Sequence, residues 1–172
     1  MDLTAYVPEL TTDRLRLRGP RLEDFEPYAA VMMSDRASHM DGPYSRRRAW
    51  SEFSAAAGQW LFFGHGSWSV IERATGDWIG EVSVNRPDHF PETEIGWMVT
   101  GRAEGRGFAR EAVSEALTWV WAALRIASLV SYISRENDPS IRLAERLGAK
   151  FDPDAPRPVG DDCLVYRHNN KS

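Results

Sequence analysis

Thr100-Gly101-Arg102-Ala103-Glu104-Gly105-Arg106-Gly107-Phe108-Ala109 is a glycine-rich turn that opens directly onto a helix-forming run, and its reading decides the fold. Beyond it, Val113, Ala116, Leu117, Val120, Trp121 and Leu124 fall at i, i+3, i+4, i+7, i+8 and i+11, an apolar stripe along one side of a helix. Glycines let backbone amides approach a ligand closely, and the first turn of a helix leaves amides unpaired at the positive end of its dipole. A phosphate or pyrophosphate is the ligand chemistry such a segment favours. Arg102, Arg106 and Arg110, spaced four apart, add positive charge around it. A plain surface turn would account for the same glycines, so the flanking elements must decide.

Before the loop, the stretches Ser67 to Glu72, Trp78 to Asn85 and Glu92 to Val99 alternate apolar and polar residues and predict an antiparallel meander. With a turn over Pro87 to Phe90, Asn85 faces Glu92, Ser83 faces Glu94 and Glu81 faces Gly96. Glu81, Ser83 and Glu94 then share a polar face, while Val82, Val84, Ile95 and Trp97 fill the other. Earlier still, the spacing predicts a strand over Arg14 to Arg18, a helix over Leu22 to Met33, and a second helix from Arg46 to about Phe62 with Ser45 as its N-cap. After the long helix come a buried strand, Ser128 to Ser134, and a helix capped by Asp138 with Pro139 at its first position and Gly148 as its stop. Lys150 to Asp152 and Leu164 to Arg167 are short closing strands. The expected fold is α+β, a mixed and largely antiparallel sheet with helices on both faces.

A chain of 172 residues fits a single domain spanning 1–172. The balance of 21 Lys and Arg against 25 Asp and Glu argues against nucleic acid as a partner. Cys163 is alone, so no internal disulfide and no cysteine pair for zinc exist, and the four histidines show no ligand spacing. No metal is expected, and the reducing cytoplasm is the expected setting. Met1-Asp2-Leu3-Thr4 carries an acid where a secretory signal carries bases. The uncharged run 53–71 is broken by Gly58, Gln59, Gly64, His65 and Gly66, so no membrane span is expected. Arg46-Arg47-Arg48 reads as a solvated helix face. No Gly-Lys-Ser/Thr triplet exists for a Walker loop, and a dinucleotide fingerprint would need Gly or Ala where Arg110 stands, which leaves that fold a minor reading.

Taken in order, these motifs resemble the GNAT superfamily of N-acetyltransferases, and within it the RimJ/RimL-type branch. The family's acetyl-CoA signature is Arg/Gln-x-x-Gly-x-Gly/Ala. Glu104-Gly105-Arg106-Gly107-Phe108-Ala109 matches it at the glycine and the final alanine, with Glu104 in place of the usual Gln or Arg. Thr12-Asp13-Arg14-Leu15-Arg16-Leu17, Gly76-Asp77-Trp78-Ile79-Gly80, Glu94-Ile95-Gly96-Trp97, Asn137-Asp138-Pro139-Ser140-Ile141-Arg142 and Leu147-Gly148 extend the match from about Thr11 to Phe151.

The resemblance implies acetyl-CoA as co-substrate and an amine acceptor, either a protein N-terminus or a small molecule, and leaves a homodimer open. It implies that the pyrophosphate sits on the backbone amides of Gly105, Arg106, Gly107, Phe108 and Ala109, with Glu104 at the first position of the cofactor-binding motif. Met98, Val99 and Thr100 would pair with the pantetheine arm where two strands splay, and Asn137 would bond to the same arm. Ser140 is the family-matched hydroxyl for the leaving thiolate. Glu94, then Glu81, are the candidate bases, acting directly or through a water. Trp50 and Trp60 lie on the helix that in the family walls the acceptor site. The reading from another class is a non-catalytic acyl-CoA or nucleotide sensor, which keeps the loop but has no use for Glu94 or Ser140.

Overall fold

The computed structural model describes residues 7–170; Met1 to Thr4, read above for a secretory signal, lie outside them. Among the described residues, alternating apolar residues build eight strands: β1 (Leu10–Thr11), β2 (Leu15–Arg18), β3 (Ser67–Glu72), β4 (Trp78–Asn85), β5 (Glu94–Val99), β6 (Ser128–Ile133), β7 (Lys150–Phe151) and β8 (Leu164–Asn169). They form one sheet in the order β1-β2-β3-β4-β5-β6-β8-β7. Every pairing is antiparallel except β5 with β6. Among the described residues four α-helices pack on it: α1 (Phe25–Met32), α2 (Arg46–Phe63), α3 (Phe108–Ala123) and α4 (Asp138–Arg146). No helix among the described residues is long and apolar enough to cross a membrane.

The sheet divides two apolar layers. Phe108, Ala112, Val113, Ala116, Leu117 and Val120 of α3 pack on Leu15, Leu17, Val70, Val82, Val84 and Ile95. On the opposite face Phe25, Tyr28, Ala29 and Met32 of α1, with Ala49 and Phe53 of α2, cover Ile71, Trp78 and Met98. Strand residues alternate between faces, so the carboxylates of β4 and β5 lie on the α1 side of the sheet, half-buried beside Tyr28 and Met32. Gly80 lets the strands meet: a Cβ there would sit 2.2 Å from the Met98 carbonyl oxygen.

The observed register differs from expectation. Asn85 faces Glu94, Ser83 faces Gly96 and Glu81 faces Met98, a shift of two residues. The turn at Pro87 does form, with the Phe90 amide on the Pro87 carbonyl at 3.0 Å, but Glu92 leaves the strand to meet Arg167. β5 therefore begins at Glu94. A slip of two preserves which face each side chain takes, because the strand period is two.

Other boundaries moved for local reasons. Leu22 to Asp24 form a 3-10 turn ahead of α1, and Leu22 is 74% exposed, outside the apolar face expected of it. Helix α4 is capped by Asn137 and not Asp138: the Asn137 Oδ1 accepts the Ser140 amide at 3.2 Å, and its backbone carbonyl accepts Ile141 at 3.0 Å. The first helical carbonyl is thus one residue earlier than expected, and Pro139, lacking an amide, sits where none needs capping. Ser45 caps α2 as expected, accepting the Arg48 amide at 3.2 Å.

Candidate active site

β5 pairs with β4 along its length but with β6 at one residue pair, Glu94 with Val130. Two bonds pin that junction. The Val130 amide donates to the Thr93 carbonyl at 3.0 Å, and Ser131 Oγ donates to the Ile95 carbonyl at 2.7 Å. Ser131 has one proton and spends it there, so the contact of 3.0 Å to His168 Nε2 has the ring as donor. Burial pulls the His168 imidazole down to about 4, which keeps it neutral. Past this junction the strands diverge and leave the free edge of β5 facing a groove.

The groove has a volume of about 610 Å³ and runs along Met98, Val99, Glu104, Gly105, Gly107, Phe108, Ala109, Asn137 and Ser140. Gly105 and Gly107 hold φ of +69° and +79°, the left-handed region in which a side chain is strained. The amides from Gly105 to Arg110 have no acceptor among the described residues. They are the orphan donors of the α3 N-terminus together with those of the turn, gathered on one anion-sized cradle. The cradle and the open β5 edge fit a coenzyme with a pyrophosphate and an amide-bearing arm.

One expected backbone contact is absent from the groove wall, and one loop side chain leaves it while its amide stays in the cradle. The Thr100 amide is spent on the Ile79 carbonyl at 2.8 Å, because the β4 pairing continues one residue past Val99. The Arg106 side chain turns away to Glu72, at 2.8 Å, and lies over the Phe108 ring. Arg102 likewise meets Asp77 at 2.8 Å. The expected ring of loop arginines is therefore largely neutralised, and Arg110 alone of the three lines the groove. Arg36, which no sequence pattern marked, lines it too.

A second cavity of about 260 Å³ lies on the acidic face. Glu81, Ser83, Asn85 and Glu94 form its floor, and Tyr28, Met32, His39, Met40 and Tyr44 its walls. It shares His39, Met40, Trp97, Met98, Asn137 and Ser140 with the groove, so the two spaces meet there. Burial pushes Glu94 up to about 7, against hydrogen bonding from the Tyr132 backbone and Asn85. Glu81 is also raised to about 7 by burial; the nearby Ser67 hydroxyl opposes the rise, and Asp24 adds to it by repulsion. Asp24 keeps its charge: burial works against it, but Arg18, Ser69 and the Arg21 amide outweigh burial and hold it below the ordinary range. Asn85 is oriented through Ser83, to whose Oγ it donates at 2.9 Å.

Among the described residues, no Arg or Lys lines this cavity. Trp50 and Trp60 do not line it either, contrary to expectation. Trp50 is 46% exposed and packs edge-on against Phe25, whereas Trp60 is buried against Trp68 and donates to the Ser67 carbonyl at 2.9 Å. The walls instead come from Tyr28 on α1 and from the α1–α2 connection.

Residues 14–150 match the acetyltransferase (GNAT) domain family. The chain belongs to that family. A crystallised acetyltransferase from Agrobacterium tumefaciens is 40% identical, covers 95% of each chain and superposes with a TM-score of 0.91. The uncharacterized protein YkkB of Bacillus subtilis is 25% identical over 149 residues, 83% of this chain and 86% of that one. The microcin C7 self-immunity acetyltransferase, solved with acetyl-CoA and AMP, shares the fold at 18% identity, covering 92% of this chain and 94% of that one with a TM-score of 0.74. GNAT acetyltransferases use acetyl-CoA, and the groove built on Gly105 and Gly107 has the donors that such a ligand needs.

Proposed function

We propose that this acetyltransferase moves the acetyl group of acetyl-CoA directly onto a primary amine seated in the acidic cavity. The observation that carries the reading is the pair of half-buried carboxylates, Glu94 and Glu81, in a cavity that meets the coenzyme groove at Met98, Asn137 and Ser140. A carboxylate titrating near 7 is matched to deprotonating an ammonium at neutral pH. A non-catalytic sensor would leave both glutamates without a task.

In this reading Gly105, Arg106, Gly107, Phe108 and Ala109 hold the pyrophosphate through their amides, and the arm lies along Met98 and Val99. Asn137 keeps its Oδ1 on the Ser140 amide and offers only its Nδ2 to the arm. Glu94 takes one proton from the ammonium, directly or through a water. The amine nitrogen forms its bond to the thioester carbonyl carbon as the carbon–sulfur bond breaks, and the second nitrogen proton passes to the departing thiolate. Ser140, on the shared wall, orients that sulfur. Glu81 supplies the second negative site for a cationic acceptor.

The acceptor is an amine without a neighbouring carboxylate, since no Arg or Lys among the described residues lines the cavity to pair with one. A peptide N-terminus or a small alkylamine satisfies this. The RimJ/RimL-type resemblance favours the peptide, and the ribosomal-protein acetyltransferases among the structural neighbours share the fold at 15 to 23% identity. The reading treats 1–172 as one catalytic domain of the cytoplasm.

The test is a panel of short peptides, diamines and free amino acids, read by thiol release and by mass spectrometry of the acceptor. Acetylated peptide or diamine, with free amino acids inert, supports the proposal. Turnover confined to amino acids, or to none of the panel despite acetyl-CoA binding, overturns it.

A further inference from the structure

Glu104 places an anion where the family motif has Gln or Arg, beside a groove whose ligand is itself anionic. Unanswered, that charge would oppose the ligand. It is answered by Arg36 from the 3-10 turn Asp35–Ala37, whose Nη2 bonds the Glu104 carboxylate and also donates to the Val99 carbonyl at 3.3 Å. The turn is itself anchored. Ser34 Oγ donates to the Val31 carbonyl at 2.7 Å and accepts the Arg36 amide at 3.3 Å.

Space is left for the guanidinium as well: a Cβ on Gly101 would stand 3.1 Å from Arg36 Nη1. Arg102 and Arg106 are drawn off to Asp77 and Glu72. Arg110 and Arg146 line the groove but make no ion pair there, whereas Arg36 is held at two points with its Nε and Nη1 donors unspent among the described residues. A guanidinium already fixed in place loses less freedom when it binds an oxyanion.

We infer that Arg36 is a phosphate-recognising residue of the coenzyme groove, and that Glu104 is the positioning residue that aims it. The Glu104 departure from the motif is then a relocation of the positive group onto another element. This rests on the groove being the coenzyme A site.

The test is calorimetric titration of coenzyme A and 3′-dephospho-coenzyme A into the native chain, Arg36→Ala, Glu104→Gln and the double variant. Arg36→Ala weakens coenzyme A by about tenfold, the scale of one charge-assisted contact. Equal loss with both ligands assigns the contact to the pyrophosphate, and loss with coenzyme A alone assigns it to the 3′-phosphate. Glu104→Gln weakens binding in the native background, because Arg36 loses its guide, but strengthens it in the Arg36→Ala background, where only an uncompensated anion is removed. That reversal of sign is a readout that a merely structural ion pair would not give. Native-like binding by Arg36→Ala, or tighter binding by Glu104→Gln alone, overturns the inference. Failure of the native chain to bind coenzyme A at all would instead overturn the reading of the groove.

Discussion

Glu94 faces Asn85 across the antiparallel β4–β5 pair and, on its other edge, Val130 at the single parallel contact between β5 and β6. The carboxylate therefore stands at the branch point of the splayed strands, on the floor of the acidic cavity. The same enclosure that raises its pKa also rigidifies its position, since the backbone on both sides is bonded.

Two carboxyls that titrate near 7 in the fold and near 4.5 when unfolded must destabilise the fold at high pH. The folded state binds more protons between those values, so stability falls as pH rises from about 4.5 through 7. Glu94→Gln and Glu81→Gln are each expected to stabilise the protein at pH 8, by up to roughly 3 kcal/mol, with the gain vanishing below pH 4.5. Thermal melts of the three proteins across pH 4.5 to 8 check this. A variant less stable than the native chain at pH 8 contradicts it.

His168 acts with the opposite sign. Its folded value near 4 lies below the ordinary 6.5, so the unfolded chain binds the extra proton, and stability present above pH 6.5 is lost as the pH falls toward 4. His168→Gln, which keeps a donor for Ser131, is expected to flatten that acid limb in denaturant titrations. Ser131→Ala leaves the Ile95 carbonyl without its partner at the strand junction and is expected to cost about 1–3 kcal/mol at any pH.

Three glycine substitutions separate close approach, backbone conformation and plain helix propensity. Gly80→Ala drives a Cβ toward the Met98 carbonyl and is expected to lower Tm sharply. Gly107→Ala meets nothing closer than an arginine tip at 3.5 Å but must hold φ of +79°, at a cost of about 1–2 kcal/mol and with weaker coenzyme A binding. Gly58→Ala, in α2 with open space around it, is expected to stabilise by about 0.5–1 kcal/mol. Melting temperatures and coenzyme A titration distinguish all three.

What the sequence disclosed followed what is periodic or local. The α3 stripe, the glycine turn and the acidic face of β4 and β5 are written in residue spacing, and the structure places each as read. The β4–β5 register is not legible, because a slip of two leaves every side chain on its own face, and the Glu92–Arg167 pairing that takes Glu92 out of the strand joins residues far apart in the chain. Tyr28, Arg36, His39 and Tyr44 escaped notice because they come from α1 and the irregular connection after it, where no period marks a functional side chain. The pairing of Arg102 and Arg106 is illegible for a related reason: Asp77 and Glu72, which neutralise them, sit on the meander and become neighbours only in the fold. The one trace of Arg36 in the sequence is the anion at Glu104, which calls for a cation without saying which.

The most direct test of the account is the pH dependence of kcat/KM with the best amine acceptor, for the native chain and for Glu94→Gln. The account predicts a native profile that falls below a bend near pH 7, where Glu94 becomes protonated. In Glu94→Gln that bend disappears and the rate drops about 10²- to 10⁴-fold. A variant that keeps both a near-native rate and the same bend would contradict the assignment of Glu94 as the base.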